Sequence, residues 1–76
     1  MHEQDRRISE ELLRQWHYRR EIVNYYAGAL LRLSPDDHNA SQRWRELNEK
    51  LAIALIALRG ASDQLQSFEQ EQSRKG

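Results

Sequence analysis

The sequence has no cysteine, one proline and three glycines. Without cysteine the chain has no disulfide and no thiolate ligand for a metal, so two common supports of very small folds are excluded. At 76 residues it forms a single domain, which buries only roughly 60% of the surface that the unfolded chain exposes. We therefore expect its remaining stability to come from association between subunits.

An excess of charge of one sign is also missing, as is a long hydrophobic run. The 12 basic and 12 acidic side chains are spread evenly over both halves, so no overall field attracts nucleic acid or a membrane surface. Residues 51–58 (LAIALIAL) form the longest apolar run, eight residues where a membrane span needs ~20. Residues 1–5 are polar and carry two acids, unlike a secretory signal. These features predict a cytoplasmic protein without a membrane span, for which nucleic acid is not the expected partner.

Helical spacing of apolar residues dominates the first half of the chain. Heptads counted from Ser9 place apolar side chains at both core positions, and only Ser9 and Arg19 break the pattern. Neighbouring isoleucines widen the apolar stripe beyond that of a two-stranded coiled coil, toward the face of a bundle helix. The pattern predicts helix 1 over residues 5–33.

A chain reversal is predicted at residues 34–40. Ser34 can cap a helix, and Pro35 suits a first helical position because its missing N–H would be unpaired there anyway. Helix 2 begins at this point or, after a short loop, at Asn39 or Ser41. We assign helix 2 to residues 41–70 and expect the polar tail 71–76 to fray.

The second half carries the strongest periodic signal in the sequence, because nine consecutive heptad core positions are all apolar. Gly60 costs about 1 kcal/mol inside a helix and could end it, with Ser62 capping a third short helix. The unbroken register favours one continuous or slightly bent helix. The nine positions are Ala40, Trp44, Leu47, Leu51, Ala54, Leu58, Ala61, Leu65 and Phe68.

Residues 51–58 are apolar around the whole helix, whereas one partner helix covers only one side of it. We therefore predict an all-α antiparallel helical hairpin that assembles into a four-helix-bundle dimer, with larger rings of hairpins as the alternative. The predicted oligomer core consists of Trp16, Trp44, Leu47, Leu51, Leu55, Leu58, Leu65 and Phe68.

The segment 16–20 (WHYRR) combines aromatic rings with guanidinium groups, a composition that binds phosphates and stacks on bases. The alternative is an ordinary helix in which Trp16 is core and the other side chains are solvated. Tyr18 and Tyr25 are seven residues apart and share one face, which indicates either a contact surface or half-buried helix tyrosines. The candidate partner or ligand residues are His17, Tyr18, Arg19, Arg20 and Tyr25.

Catalytic and metal-binding patterns are not present in the sequence. His17 with Glu21, or His38 beside Asp36 and Asp37, could share a metal ion, but neither set has a third convergent ligand. Nucleophile-elbow, zinc-protease and phosphate-loop motifs do not occur. We predict a non-enzymatic protein without a cofactor.

Arg43-Trp44, followed by residues 51–61 (LAIALIALRGA), resembles the closing helix of a phage family of helical-hairpin cyclic-nucleotide sponges that defeat CBASS and Thoeris immunity. The resemblance covers about twenty residues and implies a hairpin that sequesters cyclic nucleotides. The family's ligand-contacting tyrosine and lysine lie in its N-terminal part. Residues 1–33 contain no lysine, although Tyr18, Arg19 and Arg20 offer comparable chemistry.

These observations favour a small non-catalytic binding protein that oligomerises and has a protein partner, in the manner of a phage inhibitor. A sponge for cyclic nucleotides is the first alternative, with the anion held between subunits by Arg19 or Arg20. A dimeric RNA-binding hairpin, similar in outline to the one that binds RNA pairs in plasmid copy control, is the second.

Overall fold

A computed structural model describes residues 3–75, which form two α-helices joined by a short connection. Helix α1 spans Glu3–Leu31 and helix α2 spans Ala40–Lys75, and the two pack against each other as a hairpin. The described part of the chain contains no strand. The all-helical hairpin predicted from the heptad pattern is confirmed. In this part of the chain, neither helix combines the length and apolarity needed to cross a membrane.

Helix α1 ends two residues earlier than the predicted residue 33. The Leu33 N–H donates to the carbonyl of Leu30 at 3.2 Å, a tight three-residue closure that ends the regular ladder. Pro35 follows two residues later and disfavours helical backbone at Ser34. The helix therefore stops at Leu31.

Helix α2 begins at Ala40, so Pro35 belongs to the connection and is not the first helical residue. The carbonyl of Asn39 accepts the first helical hydrogen bond, from the Arg43 N–H at 3.0 Å. The Asp37 carboxylate accepts the Asn39 N–H at 3.0 Å, which holds the chain in a turn directly before the helix. The structure agrees with the alternative of a start after a short loop, at Asn39 or Ser41, and places it one residue before the assigned residue 41.

Helix α2 extends further than predicted at its C-terminal end. It continues through Lys75, where a frayed tail was predicted. Glutamine, glutamate and arginine dominate this segment and are good helix formers. Helix α1 begins at Glu3 and runs alongside, so that Leu12 and Phe68 line one groove. Gly60 does not interrupt α2. Gly76 lies outside the described residues.

The hairpin is long and thin, measuring 57 × 16 × 12 Å. Its radius of gyration is 17.4 Å, against about 11 Å for a compact domain of this length. Only two hydrophobic side chains of the described chain are buried, those of Ala54 and Ala61 at the helix contact. Among the side chains that the structure describes, one hydrogen bond joins the two helices, from Trp16 Nε1 to Ser62 Oγ at 2.8 Å. The two helices thus enclose very little interior.

Candidate interaction surfaces

The eight residues predicted for an oligomer core fall into two groups in the single chain. Six are half-buried along the contact between the helices, and two, Trp44 and Leu55, are exposed, with Leu55 at 48%. The difference follows from their position on α2, since α1 covers only one side of the helix. The six half-buried residues are Trp16, Leu47, Leu51, Leu58, Leu65 and Phe68.

Trp44, Leu51, Leu55 and Leu58 follow one another along α2 at intervals of seven, four and three residues, so they share one side of the helix. We call these four residues the apolar stripe. Ile53 and Ile56 lie on the opposite side of α2 and are more exposed, Ile53 at 66%. Helix α1 therefore leaves apolar side chains uncovered on both flanks of residues 51–58.

The segment 16–20 does not form a single cluster. The indole of Trp16 lies at the helix contact, with the Arg20 guanidinium carbon 5.4 Å from its ring centroid. Arg19 lies instead over the ring of Tyr18, at 5.7 Å, and the His17 ring packs edge-on against Trp16. The two guanidinium groups are thus each stacked on a different ring and do not converge within one chain.

Tyr18 and Tyr25 lie on the outer side of α1, 58% and 72% exposed. Together with Ile22 and Tyr26 they line a shallow depression, and we call these four residues the tyrosine face. The Tyr25 and Tyr26 rings meet edge to face with centroids 5.3 Å apart. The seven-residue spacing correctly placed Tyr18 and Tyr25 on a common exposed face. Rigid aromatic rings that combine apolar area with a hydroxyl are typical of protein contact surfaces.

A second groove, of about 580 Å³, lies beside the connection and has cationic walls. Arg32 comes from the end of α1, whereas Arg43 and Lys50 come from the start of α2; Tyr25 and Tyr26 complete the aromatic side. Arg43 lies 3.8 Å from the carboxylate of Asp37, the one acid among the lining residues. Sequence reasoning missed this groove because its residues are far apart in the chain and become neighbours only when the hairpin closes.

The candidate metal ligands are not brought together. Within residues 3–75 no three side chains of histidine, cysteine, aspartate or glutamate are grouped closely enough to hold a metal ion. His38 Nδ1 lies 4.0 Å from Asp37 Oδ1, and both side chains are on the surface of the connection. No polar or charged side chain is buried among residues 3–74. The ionisable side chains of residues 3–74 therefore all remain accessible to solvent.

The fold and its surfaces define a two-helix hairpin with exposed apolar and aromatic faces. Comparisons with protein-family models, with curated proteins and with solved structures found no match for this chain.

Proposed function

We propose that this protein is a non-catalytic binding protein of the cytoplasm, which self-associates into a four-helix dimer or larger oligomer and presents its tyrosine face to a protein partner. One observation carries the proposal: most large apolar side chains of the hairpin remain accessible, while only two alanines are buried. Apolar surface on this scale marks interaction sites in soluble proteins. An inhibitor of the kind that phages use against host defence fits this description.

The exposed area supports self-association quantitatively. A folded monomer of 9.1 kDa exposes about 4,900 Å² on average, whereas this chain exposes 6546 Å². The excess is roughly 1,600 Å² per chain. Obligate dimers cover roughly 1,000–2,500 Å² on each partner, so one interface of ordinary obligate size would remove the excess.

Sedimentation equilibrium at micromolar concentration tests the oligomer. We expect a mass of two or more chains, and a stable, fully helical monomer would contradict the proposal. Leu51→Asp serves as the disruptive variant, because Leu51 is half-buried beside α1 and belongs to the apolar stripe. A carboxylate there is an unpaired charge in an apolar setting and should abolish both assembly and helicity.

The partner surface is tested with the double variant Tyr18→Ala and Tyr25→Ala, used as bait in affinity capture. We expect it to lose a protein that the wild type captures while its sedimentation mass stays unchanged. Ile53→Ala is the control, because Ile53 is a strongly exposed apolar residue that lies on the other helix, outside the tyrosine face. If the double variant retains every captured protein, the tyrosine face is not the binding site.

A second candidate function, sequestration of an anionic cyclic nucleotide, is favoured by the cationic groove beside the connection. Arg32 and Lys50 offer charge for phosphates, and the neighbouring tyrosines offer rings for a base. A thermal-shift and calorimetry panel of cyclic di- and trinucleotides and cyclic ADP-ribose isomers tests it. A binder should stabilise the fold by ~2.7 kcal/mol at a hundredfold excess over its Kd.

Variants of the arginines distinguish the two possible ligand positions. Loss of the thermal shift in Arg32→Ala would place the ligand in the groove, and loss in Arg19→Ala or Arg20→Ala would place it at the segment 16–20. If no compound of the panel shifts the melting temperature or releases heat while the oligomer is intact, the nucleotide hypothesis is wrong. An RNA-binding hairpin is the third candidate, and gel-shift titration with paired RNA stem-loops addresses it.

A further inference from the structure

Helix α2 carries two apolar seams, one that packs directly against α1 and a second that borders this contact and is only partly covered by it. The seam through Leu47, Ala54, Ala61 and Phe68 contacts α1, and both of its alanines are buried. A second set of positions alternates by four and three residues along the neighbouring side, which is the spacing of a coiled-coil seam. These positions are Trp44, Asn48, Leu51, Leu55, Leu58, Ser62 and Leu65.

We propose that a second copy of this chain covers the second seam, with the two α2 helices antiparallel and the two-fold axis passing close to Leu55. The proposal rests on the self-association proposed above and adds the surface, the partner and the orientation. A two-fold interface requires a surface that matches itself after rotation. The second seam meets that requirement along its whole length.

Antiparallel pairing centred on Leu55 places apolar residues opposite apolar residues and polar residues opposite polar residues. Leu51 then faces Leu58 of the second copy, and the two polar positions of the seam, Asn48 and Ser62, face each other across the axis. At the ends, the large ring of Trp44 meets the smaller Leu65 side chain of the second copy. A parallel arrangement would place Trp44 against its own counterpart and would align the two helix dipoles.

The flanking positions also favour this pairing. In an antiparallel pair, Arg45 lies opposite Gln66 of the second copy, and Ala52 lies opposite Arg59. No like charges therefore meet at these positions, and the small side chain of Ala52 leaves room for the long side chain of Arg59. Since like charges opposite each other would weaken the pair, their absence is what an interface between copies needs.

Helix α1 extends the same face beside the second seam. Leu13, Arg20, Ala27 and Leu31 repeat at intervals of seven and four residues, so they share one side of α1. Arg20 lies over the ring of Trp16, whose N–H reaches Ser62 of the seam, and this contact places that side of α1 next to the seam. Leu13 and Leu31 are exposed there. A second hairpin would thus contact both helices, as in a four-helix bundle.

Single cysteines test the orientation in the full chain, which has no cysteine of its own. Leu55→Cys should form a disulfide-linked dimer on mild oxidation, because only a residue at the axis meets its own counterpart within disulfide distance. Ile53→Cys is the matched control: it is exposed and apolar, two residues away, and on the opposite side of α2. It should stay reduced under the same conditions.

A double variant distinguishes antiparallel from parallel pairing. Asn48→Cys combined with Ser62→Cys should cross-link two chains, whereas each single variant should not. Within one chain these positions are roughly 20 Å apart along the helix, so an internal disulfide is excluded. Cross-linking by each single variant would indicate parallel helices and overturn the orientation.

Sedimentation of the reduced proteins separates this inference from the proposed self-association. Suppose that the wild type is an oligomer but Leu55→Cys cross-links no better than Ile53→Cys. The second seam is then not the interface, while self-association stands. If the wild type is a monomer, both the self-association and the proposed interface are wrong. Circular dichroism of each reduced variant should show wild-type helicity, since each change replaces an exposed or surface-bordering side chain with a small one.

Discussion

Truncation of Leu55 to alanine should weaken self-association with little effect on the hairpin. In the single chain Leu55 remains 48% exposed, so about half of its side-chain surface is left for a second copy to cover. Complete burial of a leucine contributes roughly 1.5–3 kcal/mol, so about half of that, ~0.7–1.5 kcal/mol per chain, remains for the second copy. Both chains of a dimer lose this contribution. Self-association should therefore weaken by ~1.5–3 kcal/mol, which corresponds to a rise in Kd of about 10- to 150-fold.

Sedimentation equilibrium over a range of micromolar concentrations measures this change, with Ile53→Ala as the control. Ile53 is more exposed than Leu55 and lies on the opposite side of α2, so its truncation should leave the Kd of the dimer nearly unchanged. The wild-type Tm should also rise with protein concentration, because association stabilises the folded state by mass action. Equal effects of the two truncations, or a Tm independent of concentration, would refute the reasoning.

Three further predictions concern the hairpin itself. Gly60→Ala should raise the free energy of unfolding by about 0.5–1 kcal/mol, measured by thermal denaturation, since a Cβ there meets open space; a loss would indicate a close helix contact. Trp16→Phe should cost about 1 kcal/mol through the lost hydrogen bond to Ser62, and a double-mutant cycle with Ser62→Ala should be non-additive. Asp37→Ala should cost about 1 kcal/mol in urea denaturation because the Asn39 N–H loses its acceptor; Asp37→Asn, which keeps an acceptor, should retain most of the stability.

Much of the fold was predictable because helix formation in this chain is encoded locally. The nine apolar core positions of the second half specify a helix and the side that packs against α1, and Gly60 is too small a perturbation to break it. The end of α1 and the start of α2 were placed less well. Both depend on hydrogen bonds of the connection, such as the one from Asn39 to Asp37, which compete closely with other turns.

The candidate site residues also divide into those that local sequence spacing placed and those whose contacts depend on their neighbours in the structure. Tyr18 and Tyr25 share a face because their seven-residue spacing is set within one helix. The sequence-based hypothesis placed the anion on Arg19 or Arg20 without regard to the rings available to each. The structure stacks them on Tyr18 and Trp16, on different flanks of α1.

The sequence by itself determined two amphipathic helices, the reversal between them and a run, residues 51–58, too apolar to be covered by one partner helix. Periodicity and capping act over a few residues, so they can be read without knowledge of the fold. Only the tertiary structure decided that Trp16 bonds to Ser62 and that Arg32 and Lys50 line one groove. Such neighbours depend on the alignment of one helix along the other, which is set by the packing of side chains over the whole contact and not by any local pattern.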